Sequence, residues 1–243
     1  MQYYFITGTS RGIGQALAKQ ALLEESAKVI GFSRKQSIEH QRYTHHFVDL
    51  SDVSTIGKVI DKTLVDLPDA ERIVLINNAG TLGDVKYFGS IADASIDQIF
   101  TLNVTAPAIL MNHFIRAYRS SSAERIIINV SSGVSEYPVD GWSGYCASKA
   151  ALNMLSEVAA LELEKQNMAN FRVYAVAPGI VDTEMQTSIR EKTREQDFSR
   201  LQKFKDYKES GALENPAQTA EKYFYLINHP EQFTDVRQDV REF

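Results

Sequence analysis

Tyr145 and Lys149 stand four residues apart in the run Tyr145-Cys146-Ala147-Ser148-Lys149. If this run opens a helix, the spacing sets phenol and ammonium one turn apart on the same face. A free tyrosine has a pKa of about 10, so only on the order of 0.1% is ionised at neutral pH. An ammonium roughly 5 Å away, at an effective dielectric of about 20, favours the phenolate by about 3 kcal/mol, or roughly two pKa units. Such a tyrosine can give and take protons near neutrality. Packing and a solvated charge explain the same spacing in many helices, so the pair acquires meaning only from its companions.

The elements that must position the pair read as alternating strands and helices. Gln2 to Ile6 is a short buried strand, followed by Thr7-Gly8-Thr9-Ser10-Arg11-Gly12-Ile13-Gly14 and a helical run from Gln15 to about Glu25. Strand, glycine turn and helix is the order a dinucleotide site requires. Glycine lets the backbone approach a pyrophosphate, and the helix N-terminus offers free N–H groups and a positive dipole end. A second strand, Ala27 to Phe32, ends in Ser33-Arg34. A carboxylate here would suit the ribose 2′-hydroxyl of NAD and a cation the 2′-phosphate of NADP. No acid is present, so Arg34, helped by Arg11 and Ser33, favours NADP(H). The bland alternative is that both arginines are simply solvated.

Composition bounds the reading. The 243 residues, 44% apolar, suffice for one sizeable core. A net charge of −5 without a basic cluster argues against nucleic acid. The single cysteine excludes an internal disulfide and any multi-cysteine metal site. His45 and His46 point to opposite faces of a strand and cannot easily share a metal, and no metal is expected. A strand starting at Gln2 leaves no room for a cleavable presequence, and no apolar run approaches membrane-spanning length. The expectation is a cytoplasmic protein without a membrane partner.

The run Thr-Gly-x-x-x-Gly-Ile-Gly near the N-terminus resembles the short-chain dehydrogenase/reductase family, and four further matches follow in that family's order. They are Asp49-Leu50 after the third strand (Thr44 to Val48), Asn77-Asn78-Ala79-Gly80 after the fourth (Arg72 to Ile76), Ser132 with Tyr145 and Lys149, and Pro178-Gly179-Ile180-Val181-Asp182-Thr183 after the sixth (Phe171 to Val176). The resemblance implies a single α/β domain over residues 1–243, a Rossmann-type doubly wound sheet of seven parallel strands. It places Gly8, Ser10, Gly12, Ile13 and Gly14 on the cofactor and Asp49-Leu50 against the adenine. Asn77, Ala79 and Gly80 would line the cofactor pocket. Pro178, Gly179, backbone at Val181 and the hydroxyl of Thr183 would hold the nicotinamide end.

For catalysis, the resemblance assigns Ser132 to the substrate carbonyl oxygen, Tyr145 to its proton, and Lys149 to the tyrosine and the nicotinamide ribose. Ser131 is rejected because strand alternation turns it away. A long helix is expected from about Ala94 to Tyr118, in which Pro107 cannot donate to the carbonyl of Asn103. The family uses the corresponding backbone oxygen to hold a proton-relaying water.

Val134, Tyr137, Val139 and Trp142 form a loop apolar enough to wall a substrate pocket. The charged segment Glu184 to Ser210 reads equally as a mobile lid or as a solvated amphipathic helix. A helix from Asn215 to about Asn228 precedes a tail, Phe233 to Phe243, expected to add the seventh strand. In the pterin-reducing branch of the family a carboxylate near the C-terminus meets the substrate's guanidine-like edge, a role that would fall to Asp239. The helix after Tyr145 is apolar on more than one face, so one side is expected to meet the sheet and the other a partner subunit, in a homodimer or homotetramer.

The resulting expectation is an NADPH-dependent carbonyl reductase acting on a small-molecule ketone or aldehyde. Gly141 to Cys146 and Asp182 to Met185 most resemble the branch of sepiapterin reductase and the bacterial benzil reductases, which suggests a pterin or an aromatic diketone. The rival is a non-catalytic NADP(H) sensor on the same fold, which would have no reason to keep serine, tyrosine and lysine at working spacings.

Overall fold

In a computed structural model that describes residues 1–243, seven parallel strands form one sheet in the order β3-β2-β1-β4-β5-β6-β7. They are β1 Gln2–Thr7, β2 Ala27–Ser33, β3 Tyr43–Phe47, β4 Arg72–Asn77, β5 Glu124–Val130, β6 Phe171–Ala177 and β7 Arg237–Asp239. Every residue of β1, β4 and β5 after the first is buried. Strands covered on both faces are the reason these runs read as continuous apolar stretches, and they favour parallel pairing with helical crossovers.

Strand alternation divides the core in two. Tyr4 and Ile6 of β1 face Leu17 of α1 (Gly12–Ala21) and Tyr223 and Ile227 of α8 (Pro216–Asn228). Tyr3 and Phe5 face Ile56 of α2 (Val53–Thr63), Phe114 of α4 (Ala106–Ala117) and Leu163 of α5 (Ser143–Lys165). Each large side chain fully buried this way contributes about 1.5 to 3 kcal/mol relative to exposure. The strand order reverses between β1 and β4, and the crevice at the strands' C-terminal ends there is where open α/β sheets bind ligands.

Several boundaries differ from the sequence expectations. The first helix starts on Gly12 and stops at Ala21, where the N–H groups of Leu23 and Glu24 turn to the carbonyls of Gln20 and Ala21 three residues back; Arg42 takes the carbonyls of Leu22, Glu24 and Ala27 beyond it. The helix expected from Ala94 to Tyr118 is α3 (Asp93–Phe100), a π turn over Thr101–Thr105, and α4. The wide turn, in which the Ala106 N–H bonds the Thr101 carbonyl, accommodates the donor that Pro107 lacks. Only Arg237 to Asp239 of the tail pair with β6, and a short edge strand of this kind leaves little backbone open to another chain. The segment after Thr183 forms α6 (Glu184–Lys192) and α7 (Leu201–Glu209), whose apolar faces bury Ile189 and Leu201.

Candidate functional site

Loops at the C-terminal ends of β1 to β6 bring the singled-out residues to one edge of the sheet. The glycine loop is drawn tight around Asn78. Its Nδ2 donates to the carbonyl of Thr7 at 3.0 Å, and the N–H groups of Asn78 and Ala79 both donate to Thr7 Oγ1 at 2.9 Å. A Cβ on Gly14 would lie 2.3 Å from both Asn78 Nδ2 and the Gly8 carbonyl, and Gly8 itself has φ of +74°. Only glycine permits this closeness. Ser10, Arg11 and Ile13 complete the loop, and α1 begins at Gly12 with no acid in its first turn. Free N–H groups at a helix start suit a pyrophosphate.

At the end of β2, Ser33 Oγ donates to the Lys35 carbonyl at 2.7 Å. Arg34 stands 3.7 Å from the Asp49 carboxylate, and Arg11 pairs with Glu184 of α6. Both arginines are thus held, not free, but all four side chains are substantially exposed. Exposed ion pairs contribute about 0 to 1 kcal/mol, so they yield readily to a more highly charged phosphate. Asp49 is held below the usual carboxylate range by bonds from Ser51 and then by Arg34, with burial opposing. Arg34, with the Ser33 hydroxyl beside it in the chain, is the kind of donor an adenosine 2′-phosphate takes, whereas Arg11 lies toward α6.

Tyr145 lies in the first turn of α5, so the helix expected from its spacing to Lys149 is present. Both side chains are buried. Lys149 Nζ lies 5.7 Å from the Tyr145 ring centroid and donates to the Val130 carbonyl at 2.7 Å. Ser132, just past β5, lies beside the same phenol and favours its ionised form. Ser131 turns the other way, donating to Asn153 Oδ1, as strand alternation requires.

Electrostatically, the structure reverses the expected balance. Burial pushes the Tyr145 phenol up to about 12, with Ser132 opposing, and burial pushes Lys149 down to about 8. Desolvation of the charged form outweighs the attraction of the ammonium, which points to the Val130 carbonyl and the face of the ring. Asn103 is fully buried in the π turn. Its Oδ1 accepts from the Thr81 N–H at 2.9 Å, and its Nδ2 donates to the Thr81 carbonyl at 2.8 Å and to Ser148 at 3.1 Å. It thereby joins the loop after β4 to the Tyr145 helix. Gly80 sits between them: a Cβ there would be 3.2 Å from Asn103 Oδ1 and 3.8 Å from Lys149 Nζ.

No group of three or more His, Cys, Asp or Glu side chains could hold a metal ion. No helix is long and apolar enough to cross a membrane.

Residues 2–194 match the family model described as short chain dehydrogenase. The chain belongs to the short-chain dehydrogenase family. It is therefore an oxidoreductase of that family. Its relatives include a benzil reductase ((S)-benzoin forming) of Bacillus cereus, 37% identical, with 95% of this chain and 96% of the relative covered. A sepiapterin reductase of Mus musculus is 33% identical over 91% of this chain and 90% of its own. Among solved structures, the KRED1-Pglu enzyme superposes with a TM-score of 0.78 at 31% identity, covering 93% of this chain and 94% of that one.

Within this short-chain dehydrogenase, several residues sit differently from the sequence expectation. Asn77 points into the core, where its Nδ2 donates to Asn129 Oδ1 at 2.8 Å, so the pocket edge is formed by its neighbour Asn78. Leu50 packs in the core with Phe32 and Ile56, and only its backbone can face an adenine. Trp142 does not wall an open pocket. Its indole stacks on Phe198 at 5.1 Å, meets Phe204 at 5.4 Å and meets Tyr145 edge-on at 5.6 Å. The segment expected as either lid or solvated helix is thus a pair of amphipathic helices and the loop between them, laid over this aromatic cluster. Gly179 has φ of +73° beside Pro178, while Val181 is buried and bridges to Glu214. Thr183 stands at the start of α6, against Gly12. Asp239 is gripped by Arg241, whose Nε donates to Oδ1 at 2.8 Å.

The sequence reading also missed Asn153, two turns beyond Tyr145. Buried on α5, it accepts from Ser131 and donates to Ser135 Oγ at 2.8 Å and Glu136 Oε1 at 3.2 Å, bracketing Ser132 on both sides. The signal was its place on the Tyr145 and Lys149 face, at i, i+4, i+8.

Proposed function

We propose that the chain, one NADP(H)-binding domain over residues 1–243, is an NADPH-dependent carbonyl reductase. The proposed substrate is a small aromatic diketone or a pterin-borne ketone. The observation that carries this reading is the convergence of Tyr145, Ser132 and Lys149 at the C-terminal end of β5. The activities named for its relatives, benzil and sepiapterin reduction, support the substrate class.

Gly8, Ser10, Gly12, Ile13 and Gly14 would hold the pyrophosphate, and Arg34, Ser33 and Arg11 the 2′-phosphate. Asp49 and the Leu50 backbone would flank the adenine, and Ala79 and Gly80 leave room beside the ribose. Pro178, Gly179, Val181 and Thr183 would hold the nicotinamide end. Bound there, reduced nicotinamide supplies a hydride to a carbonyl carbon.

The chain's own residues handle the oxygen and the proton. Ser132 hydrogen-bonds the carbonyl oxygen and steadies the charge that develops on it. Tyr145 gives that oxygen its proton, and burial keeps the phenol protonated at neutral pH, the form a donor needs. Lys149 binds the ribose hydroxyls and brings positive charge to the tyrosine. Asn103 offers its backbone carbonyl to a water that returns protons to Lys149.

Met154, Val158 and Leu161 lie exposed on α5. This apolar stripe supports a homodimer or homotetramer paired through that helix. The reading places the enzyme in the cytoplasm.

The test is turnover: NADPH oxidation followed by absorbance against a panel of ketones and aldehydes that includes benzil and sepiapterin. Steady oxidation with one of them is the expected result. Tight NADPH binding without oxidation on any of them would favour the sensor.

A further inference from the structure

At the mouth of the site, a carboxylate and a guanidinium from the same short segment are locked together. Asp239 ends β7, paired in register with Ala177 at the end of β6. Two residues on, Arg241 turns back onto it. The Arg241 backbone N–H and Nε both donate to Asp239 Oδ1, at 3.0 and 2.8 Å, and Nη2 donates to Oδ2. Both carboxylate oxygens are therefore taken by one guanidinium in a fork arrangement, the strongest way this pair can meet. Burial would raise the Asp239 pKa, but Arg241, with Lys222 beyond it, holds it below the usual carboxylate range.

The position of Arg241 gives this lock a consequence for binding. Its stem lies over Gly179, with Cγ 3.5 Å and Cδ 3.7 Å from where a Cβ would stand. Its Nη2 lies 3.8 Å from the corresponding point on Gly133, the residue after Ser132. Arg241 thus spans the loops after β5 and β6, next to the carbonyl-holding serine on one side and the Pro178-Gly179 turn on the other. The Asp239 side chain is 17% exposed and that of Arg241 62%. What the rim offers an incoming molecule is a guanidinium, with the carboxylate behind it.

We propose that Arg241 is a specificity-determining residue that closes Asp239 to substrates carrying a guanidine-like donor edge and turns the pocket toward neutral aryl ketones and diketones. A guanidine-like edge needs an open pair of carboxylate oxygens, and here the protein's own guanidinium already fills them. A neutral aromatic ring makes no demand on Asp239. It can instead lie against a guanidinium plane, which is weakly hydrated and stacks on aromatic faces. This rests on the carbonyl-reductase reading above and chooses between the two substrate classes that reading leaves open.

The experiment compares wild type, Arg241→Ala and the double variant Arg241→Ala/Asp239→Ala, each loaded with NADP, by calorimetric titration with sepiapterin, a pterin with a guanidine-like edge. Arg241 is largely exposed, so its truncation opens no core. The expected result is weak binding by wild type, binding at least about tenfold tighter by Arg241→Ala, as freeing a charged hydrogen-bond acceptor implies, and loss of that gain in the double variant. Equal binding by wild type and Arg241→Ala would overturn the proposal. So would a gain that survives in the double variant, because added space and not the freed carboxylate would then be responsible. Benzil turnover by wild type is measured separately: its absence would count against the carbonyl-reductase reading, while the titration would still decide whether Arg241 closes Asp239.

Discussion

The ammonium of Lys149 is bonded to the backbone carbonyl of Val130 at 2.7 Å. The contact ties the second turn of α5 to the end of β5, where Ser132 follows. It also holds a cation inside the protein, at a cost that burial registers by lowering the Lys149 pKa to about 8 from 10.5. The unfolded chain therefore binds more protons than the folded one between those values. Stability from this group rises with pH from about 8 to about 10.5 and is lowest below about 8, by roughly 3 kcal/mol. Tyr145 opposes only above its ordinary value of 10, because its pKa is raised to about 12. Urea midpoints at about pH 7.5 and about pH 9.5 are expected to rise in wild type more than in Lys149→Met; equal rises would show that the lysine is not the group responsible.

Replacing Tyr145 by Phe keeps the ring and its contacts with Trp142 but removes the proton donor. Turnover is expected to fall by about 10² to 10⁴-fold, with NADPH affinity nearly unchanged in a fluorescence titration. A variant that keeps a substantial part of the wild-type rate would mean that the proton comes from another group.

Arg34→Ala removes the cation that follows β2 and stands by Asp49. NADPH affinity is expected to drop roughly tenfold to a hundredfold, the worth of a charge-assisted bond, while NADH affinity stays within about threefold. Parallel losses for the two cofactors would indicate that Arg34 stays with Asp49 and never meets the phosphate.

Asn153→Leu leaves Ser131, Ser135 and Glu136 without their shared partner, and with it the loop that carries Ser132. The cost in stability is expected to be about 1 to 3 kcal/mol. Because Asn153 touches neither the glycine loop nor Arg34, kcat is expected to fall about tenfold or more through misplacement of Ser132, with KM for NADPH unmoved. A change in stability with kcat intact would reduce Asn153 to a packing role.

Leu161→Glu puts a charge in the exposed stripe of α5. Sedimentation is expected to change from a dimer or tetramer to a monomer, with the fold retained. A wild type that is already monomeric at micromolar concentration would remove the assembly.

The local reading held best where geometry follows from chain connectivity. Tyr145 and Lys149 had to share a helix face, Ser131 and Ser132 had to diverge, and Gly8, Gly12 and Gly14 had to make a turn no other residue allows. Misplaced residues were those whose neighbours come from afar in the chain. Whether Asn77 or Asn78 met the glycine loop depended on which face of β4 the partner Asn129 occupied, 52 residues away. Trp142 became part of a covered aromatic cluster only because Phe198 and Phe204 fold back over it.

The alternation of strands and helices, the glycine turn after β1 and the shared helix face of Tyr145 and Lys149 were legible in the sequence, since periodicity and short-range spacing constrain these directly, whereas the seven-stranded parallel sheet and the pairing of Ser132 with Tyr145 were legible only through the family resemblance. Tertiary structure decided the charge states and the rim. Desolvation depends on everything packed around a group, so it reversed the Tyr145 and Lys149 balance that a pairwise distance suggested. The fold of the last turn, which brings Arg241 back onto Asp239, turned a carboxylate expected to face substrate into one already satisfied from within.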